Sequence, residues 1–185
     1  MADLPISFAS MFRVNLTDLD RKGKQIVEGT IPPDDALWGD LDDGVLDYPV
    51  DIHLTLTTTA SGQVLARGAL TTELLRNCRR CLTDVTVPVR EELNLFWSVP
   101  DELRGSDEKE EDESIRWLDP TSNELDLRDA LREELLLMIP RFVLCDDECQ
   151  GLCPLCGINR NDETCECTLE EPDPRWDALR ALQND

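Results

Sequence analysis

Hydrophobic and polar residues alternate most regularly between positions 50 and 98. Val50, Ile52, Leu54 and Leu56 are interleaved with Asp51, His53, Thr55 and Thr57, the two-residue period of a strand with one buried face. Ser61-Gly62 is a turn signal, and alternation resumes at Val64, Ala66, Gly68, Leu70 and Leu74. Past Cys78 and Cys81, the odd positions Val85, Val87, Val89, Leu93, Leu95 and Trp97 share a face that only Glu91 interrupts. Three such runs joined by short turns predict an antiparallel meander, with Cys78 and Cys81 in a hairpin tip. The period then changes. Leu127, Leu131, Leu135 and Met138 recur at helical spacing, Asp126 is placed to cap the helix, Asp129 sits in its first turn, and Pro140 stops it. Leu136, Leu137 and Ile139 widen the apolar face, so this helix is expected to cover the sheet.

Elsewhere the pattern is weaker. Residues 8–19 read as a first strand leading into a polar turn, and Arg21–Asp47 as a loop with one short strand near Ile26–Ile31. Trp38 either anchors that loop or awaits a partner. Asp101–Glu113 is so rich in Asp and Glu that it predicts an acidic loop. Ile115–Leu118 and Glu124-Leu125 predict a small hairpin around Pro120, and Asp173-Pro174 a last short helix with Trp176, Leu179 and Leu182 on one side. The expected fold is α+β: an antiparallel sheet covered by one main helix, with zinc-knuckle elements toward the C-terminus. The expected division is 1–49, an N-terminal strand and loop; 50–144, the sheet and its helix; and 145–185, a cysteine-rich segment with a terminal helix, the three forming one compact unit.

A chain of 185 residues that is 41% hydrophobic can bury one ordinary core. Its longest apolar run, Leu135–Ile139, is far short of the ~20 residues of a membrane span, and the start, Met1-Ala-Asp-Leu-Pro, lacks the basic-then-apolar order of a signal peptide. A cytoplasmic protein is expected, with no call for a membrane or a small-molecule substrate. The formal charge of −22 changes the picture of its partners. Phosphate backbones are repelled at long range, so direct RNA contact would be weak; the charge either serves solubility or selects a basic protein.

The candidate chemistry lies in eight cysteines: Cys78, Cys81, Cys145, Cys149, Cys153, Cys156, Cys165 and Cys167. The absence of an export signal and the C-x-x-C spacings favour metal knuckles over four disulfides. Gly151-Leu-Cys-Pro-Leu-Cys-Gly157 is the strongest motif, because a C-x-x-C turn delivers two thiolates to one tetrahedral ion and the glycine after it gives backbone freedom. Cys165 and Cys167 complete a site that local loop closure favours, leaving Cys78, Cys81, Cys145 and Cys149 for a second. The other division, Cys78 and Cys81 with Cys153 and Cys156, stays open. Two zinc ions per chain are expected, although four thiolates also suit iron or an iron–sulfur cluster. Cys78-Arg-Arg-Cys81 has a rival reading as a redox dithiol, but such a dithiol normally opens a helix.

Other residue types point away from catalysis. His53, the single histidine, falls on the polar face of its strand and no nucleophile motif accompanies it. Acidic pairs are too common to mark an acid–base site, and no glycine-rich phosphate loop occurs. Arg76, Arg79, Arg80 and Arg90 form the densest basic group; they either offset nearby negative charge or contact RNA phosphate or another partner.

Three stretches together carry a resemblance: Arg76-Asn-Cys-Arg-Arg-Cys-Leu82, the Leu127–Pro140 helix ending in Ile-Pro, and Cys145 through Gly151-Leu-Cys-Pro-Leu-Cys-Gly-Ile-Asn159 followed by Asp173-Pro-Arg-Trp176. From about residue 50 onward the chain resembles the YceD-like family, the large ribosomal RNA subunit accumulation proteins. The resemblance implies a bacterial cytoplasmic or plastid protein needed for normal accumulation of large-subunit ribosomal RNA. Taken with the charge, it implies a non-catalytic assembly factor that holds a basic large-subunit ribosomal protein or a pre-large-subunit particle. The readings from other classes are a redox or iron–sulfur protein and a zinc-ribbon adaptor in transcription.

Overall fold

The computed structural model describes residues 11–39, 46–99 and 115–168. The acidic loop expected at Asp101–Glu113 and the helix expected around Trp176, Leu179 and Leu182 lie outside the described residues. The elements run in the order β1 (Arg13–Asn15), α1 (Leu16–Lys22), β2 (Lys24–Ile31), a 3₁₀ turn (Ala36–Trp38), β3 (Val50–Thr58), β4 (Val64–Asn77), β5 (Asp84–Ser98), β6 (Ile115–Trp117), β7 (Glu124–Asp126) and α2 (Arg128–Met138). Five strands form one sheet in the order β2-β3-β4-β5-β6, and β1 pairs with β7 in a second, two-stranded sheet. Chain contacts divide the described residues into two compact units: 11–39, 46–76, 86–99 and 115–141 in the first, 77–85 and 142–168 in the second. Neither helix is long and apolar enough to cross a membrane.

The alternating face of the meander is the core of the first unit. Val50, Ile52, Leu54 and Leu56 on β3, Leu70 and Leu74 on β4, and Leu93 and Leu95 on β5 are buried in one cluster with Leu127, Leu131 and Leu135. The helix and the sheet thus share one hydrophobic core, and each fully buried leucine contributes about 1.5–3 kcal/mol. Strands β2, β3 and β4 are antiparallel neighbours, with Val27 opposite Leu54 and Leu54 opposite Gly68. Gly68 leaves no choice of side chain, since a Cβ there would overlap the carbonyl of His53 on the paired strand. The fold class is the α+β arrangement that the periodicities indicate.

Three local expectations are corrected. Leu16–Lys22 is a helix, not a polar turn: the Asn15 side chain accepts the Asp18 N–H at 2.9 Å, and Gly23 closes the helix at φ 71°. The following strand is fuller than a short one, covering Lys24–Ile31 in register with Thr57 to Val50. The hairpin expected around Pro120 does not form. Strand β6 instead pairs in parallel with β5, Phe96 opposite Ile115, while β7 pairs with β1. Trp38 is buried and donates its indole N–H to the Pro32 carbonyl at 2.9 Å, so it anchors its own loop. His53 stays on the exposed face, as expected, with Nδ1 2.7 Å from Glu28 on the neighbouring strand.

Asp126 ends β7 and is not the helix cap expected of it; the N-cap is Leu127, which makes no side-chain cap bond, and Asp126 links the small sheet to the helix from one residue earlier. Its carboxylate accepts the Arg128 backbone N–H at 3.1 Å and the Arg128 guanidinium at 2.7 Å, and lies 3.2 Å from Arg13 across the β1–β7 pair. Burial works against its charge, but these donors outweigh it and hold the carboxyl below its ordinary value. A carboxyl lowered on folding stabilises above its unfolded pKa, and that contribution disappears as pH falls through the folded value. Asp126→Ala should therefore destabilise the first unit by about 1 kcal/mol at neutral pH. In urea unfolding at a series of pH values, the gap from the native protein should close in acid below the ordinary carboxylate range.

Candidate metal centres

The second unit is built from two C-x-x-C turns of one design. The N–H of the residue after the second cysteine returns to the carbonyl of the first: Leu82 to Cys78 and Gly157 to Cys153, both at 2.9 Å. The N–H of each first cysteine donates five residues onward, Cys78 to Thr83 and Cys153 to Ile158, both at 2.8 Å. Closing the turn requires left-handed backbone after the second cysteine, with φ 77° at Gly157 and 62° at Leu82. Glycine takes that conformation freely; for leucine it costs about 1–2 kcal/mol.

Each turn meets one further cysteine pair. Cys78, Cys81, Cys145 and Cys149 form one set and Cys153, Cys156, Cys165 and Cys167 the other, and within each set the sulfur atoms all lie within 4.8 Å of one another. This grouping is the division at Gly151; the alternative sharing of Cys78 and Cys81 with Cys153 and Cys156 is not what the chain does. All eight thiols are free, and the 3.8 Å between Cys78 Sγ and Cys149 Sγ and 3.4 Å between Cys81 Sγ and Cys145 Sγ are far beyond disulfide length. A tetrahedral ion with metal–sulfur bonds near 2.3 Å requires sulfurs about 3.8 Å apart, so the donors fit a closed four-thiolate site.

Supporting groups hold the first set. An Asx turn at Asp146, accepting the Glu148 N–H at 2.8 Å, brings Cys149 back toward Cys145. Arg80 clamps that loop, its guanidinium donating to the carbonyls of Asp147 at 3.1 Å and Cys149 at 3.0 Å. Its own carbonyl accepts the Leu152 N–H at 3.0 Å, joining the first turn to the second. Asn161 donates to Cys149 Sγ at 3.3 Å, and Thr83 Oγ1 lies 3.3 Å from Cys81 Sγ. Neither Asn161 nor Thr83 is marked in the sequence, since neither side chain repeats at a recognisable spacing.

Electrostatics set the thiols apart in matching ways. Backbone N–H groups, that of Cys81 foremost, hold the Cys78 thiol down at about 6 in spite of its burial, and those of Cys156 and Leu155 do the same for Cys153, also at about 6. Hydrogen bonds with Cys81 and Cys149 push Cys145 up to about 12, and one with Cys156, with burial, takes Cys167 to about 12. Metal binding to such donors takes the thiolate form, so a divalent ion would displace the protons the thiols carry.

The arginines separate. Arg76, half-buried, and Arg90, exposed beside a groove lined by Tyr48, Asp51 and Glu73, belong to the first unit. Arg79 and Arg80 belong to the second, where Arg79 lies 5.3 Å from the Phe142 ring centroid.

A family model described as large ribosomal RNA subunit accumulation protein YceD matches residues 66–183, which contain all eight cysteines. An uncharacterized protein of Mycobacterium tuberculosis H37Rv is 33% identical over 139 residues, 75% of this chain and 63% of the relative. One from Mycobacterium leprae is 30% identical over 116 residues, 62% of this chain and 52% of the relative. The large ribosomal RNA subunit accumulation protein YCED homolog 1, chloroplastic, of Arabidopsis thaliana is 34% identical over 77 residues, 39% of this chain and 24% of the relative. The chain thus spans less than two thirds of the length of these relatives. No solved structure matches it.

Gly151 packs closely against the first turn. It is buried at φ 71°, and a Cβ there would lie 3.0 Å from the Arg80 carbonyl oxygen. Gly151→Ala should weaken the second unit by about 1–2 kcal/mol, read as roughly tenfold faster amide exchange at Leu152 with little change in the strands of the first unit.

Proposed function

The chain belongs to the YceD family of large ribosomal RNA subunit accumulation proteins, and from that premise we propose that it is a non-catalytic, zinc-binding factor in large-subunit assembly. It supports accumulation of large-subunit ribosomal RNA by holding a basic ribosomal protein or a precursor particle. The observation that carries the reading is the pair of cysteine tetrads inside the family-matched span. Each tetrad takes one zinc ion, Cys78, Cys81, Cys145 and Cys149 the first and Cys153, Cys156, Cys165 and Cys167 the second. A four-thiolate site leaves no position open for water, so zinc here fixes geometry and performs no chemistry on a substrate. The protein works where ribosomes are built, in the bacterial cytoplasm.

Charge supports the choice of partner. At −22, the chain carries a field that draws in a basic protein and repels bare phosphate. The four candidate arginines also divide between the units, and Arg80 is already committed to two carbonyls. If all four met phosphates, the log–log salt slope would still reach only about −4.

Titration of purified basic large-subunit proteins and of protein-free large-subunit ribosomal RNA in one buffer at physiological salt tests the reading. A basic protein should bind more tightly than the RNA, and removing residues 101–113 should slow its association while leaving the zinc content unchanged. Tighter binding to bare RNA would overturn the protein-partner reading.

A further inference from the structure

Leu82 stands where the sister turn has glycine. The hydrogen bonds around the two positions match, both have left-handed backbone, and yet Leu82 is 61% exposed. Packing inside the unit does little to offset the strain of a leucine placed this way. Local strain that the fold does not need points to function, because the sister turn closes with the residue that avoids it. Phe142, also in the second unit, is 73% exposed, with the Arg79 guanidinium over its ring. Between Phe142 and the clamped Cys149 carbonyl runs the acidic stretch Asp146-Asp147-Glu148, all exposed. Apolar anchors with charged neighbours have the make-up of a docking surface, in which a few large side chains supply affinity and the charges choose the partner.

We propose that Leu82 and Phe142 are the apolar anchors of a docking surface for a basic protein segment, with Asp146, Asp147 and Glu148 pairing its lysines or arginines. The strained turn holds Leu82 outward, and the first cysteine set fixes that turn. The choice of occupant follows from charge complementarity with a chain of −22 and rests on the basic-protein reading above. The assignment of Leu82 itself comes from its backbone and exposure.

Leu82→Gly gives an unusual test, since it relieves strain and removes the anchor together. The native protein, Leu82→Gly, Leu82→Asn and Phe142→Ala are titrated with each purified basic large-subunit protein in turn and with protein-free ribosomal RNA. Zinc content and unfolding temperature are recorded beside each titration. Both Leu82 variants should keep their zinc and unfold at the native temperature or higher, while affinity for the bound protein falls about tenfold or more. Phe142→Ala should show a comparable loss. Native affinity in the Leu82 variants overturns the proposal, and so does a lower unfolding temperature in both, which would make Leu82 a packing residue. Weakened binding of RNA alone transfers the surface to RNA and also overturns it. If the native protein binds no basic protein, the partner reading of the previous subsection fails and takes this occupant with it.

Discussion

Four sulfur atoms crowded within 4.8 Å of one another, twice over, are the constraint on which the second unit depends. Two thiolates 3.8 Å apart repel by about 4 kcal/mol at an effective dielectric of 20, and each tetrad holds four such donors. Little apolar burial opposes that repulsion. Among the described residues of this unit, the buried positions are Cys78, Cys81, Cys149, Cys153 and Gly151, with Val85, Leu144 and Leu152 only partly covered. The first unit has buried leucines on four strands and both helices. A structural zinc ion can supply about 10–16 kcal/mol, the scale needed where a leucine core is missing.

The same constraint explains the backbone around the cysteines. A turn that aims amide N–H groups at sulfur lowers the thiols of Cys78 and Cys153, the entry residue of each turn. It also forces left-handed backbone after the second cysteine, which Gly157 accepts and Leu82 resists. Arg80 then has two tasks that a count of basic residues cannot reveal. Its side chain fixes the loop carrying Cys149, and its carbonyl accepts from Leu152 against Gly151. An arginine that looks available to a partner in the sequence is an internal clamp in the fold.

The sequence disclosed most where a period repeats. Alternation at Val50–Leu56 and helical spacing at Leu127–Met138 each mark a buried face, and both faces meet in one core. The cysteine sets were legible as well, since short loops favour closure within Cys153–Cys167. The misses at α1, β6 and β7 share a cause: each element is too short to express a period. Helix α1 has seven residues and a single buried one, Leu19, and its plainest signals were the caps Asn15 and Gly23. Strands β6 and β7 have three residues each, and their partners β5 and β1 are not each other, so adjacency in sequence misled. Asn161 and Thr83 escaped for a different reason. Their roles depend on a distance to sulfur that exists only after folding.

The central claim is that two separate four-thiolate sites organise the second unit. Zinc per chain, measured in the purified native protein and in Cys153→Ser, tests it most directly. The account predicts two ions in the native protein and one in the variant, with Cys78, Cys81, Cys145 and Cys149 still occupied. Loss of both ions from Cys153→Ser, or a native protein holding iron in place of zinc, would contradict it.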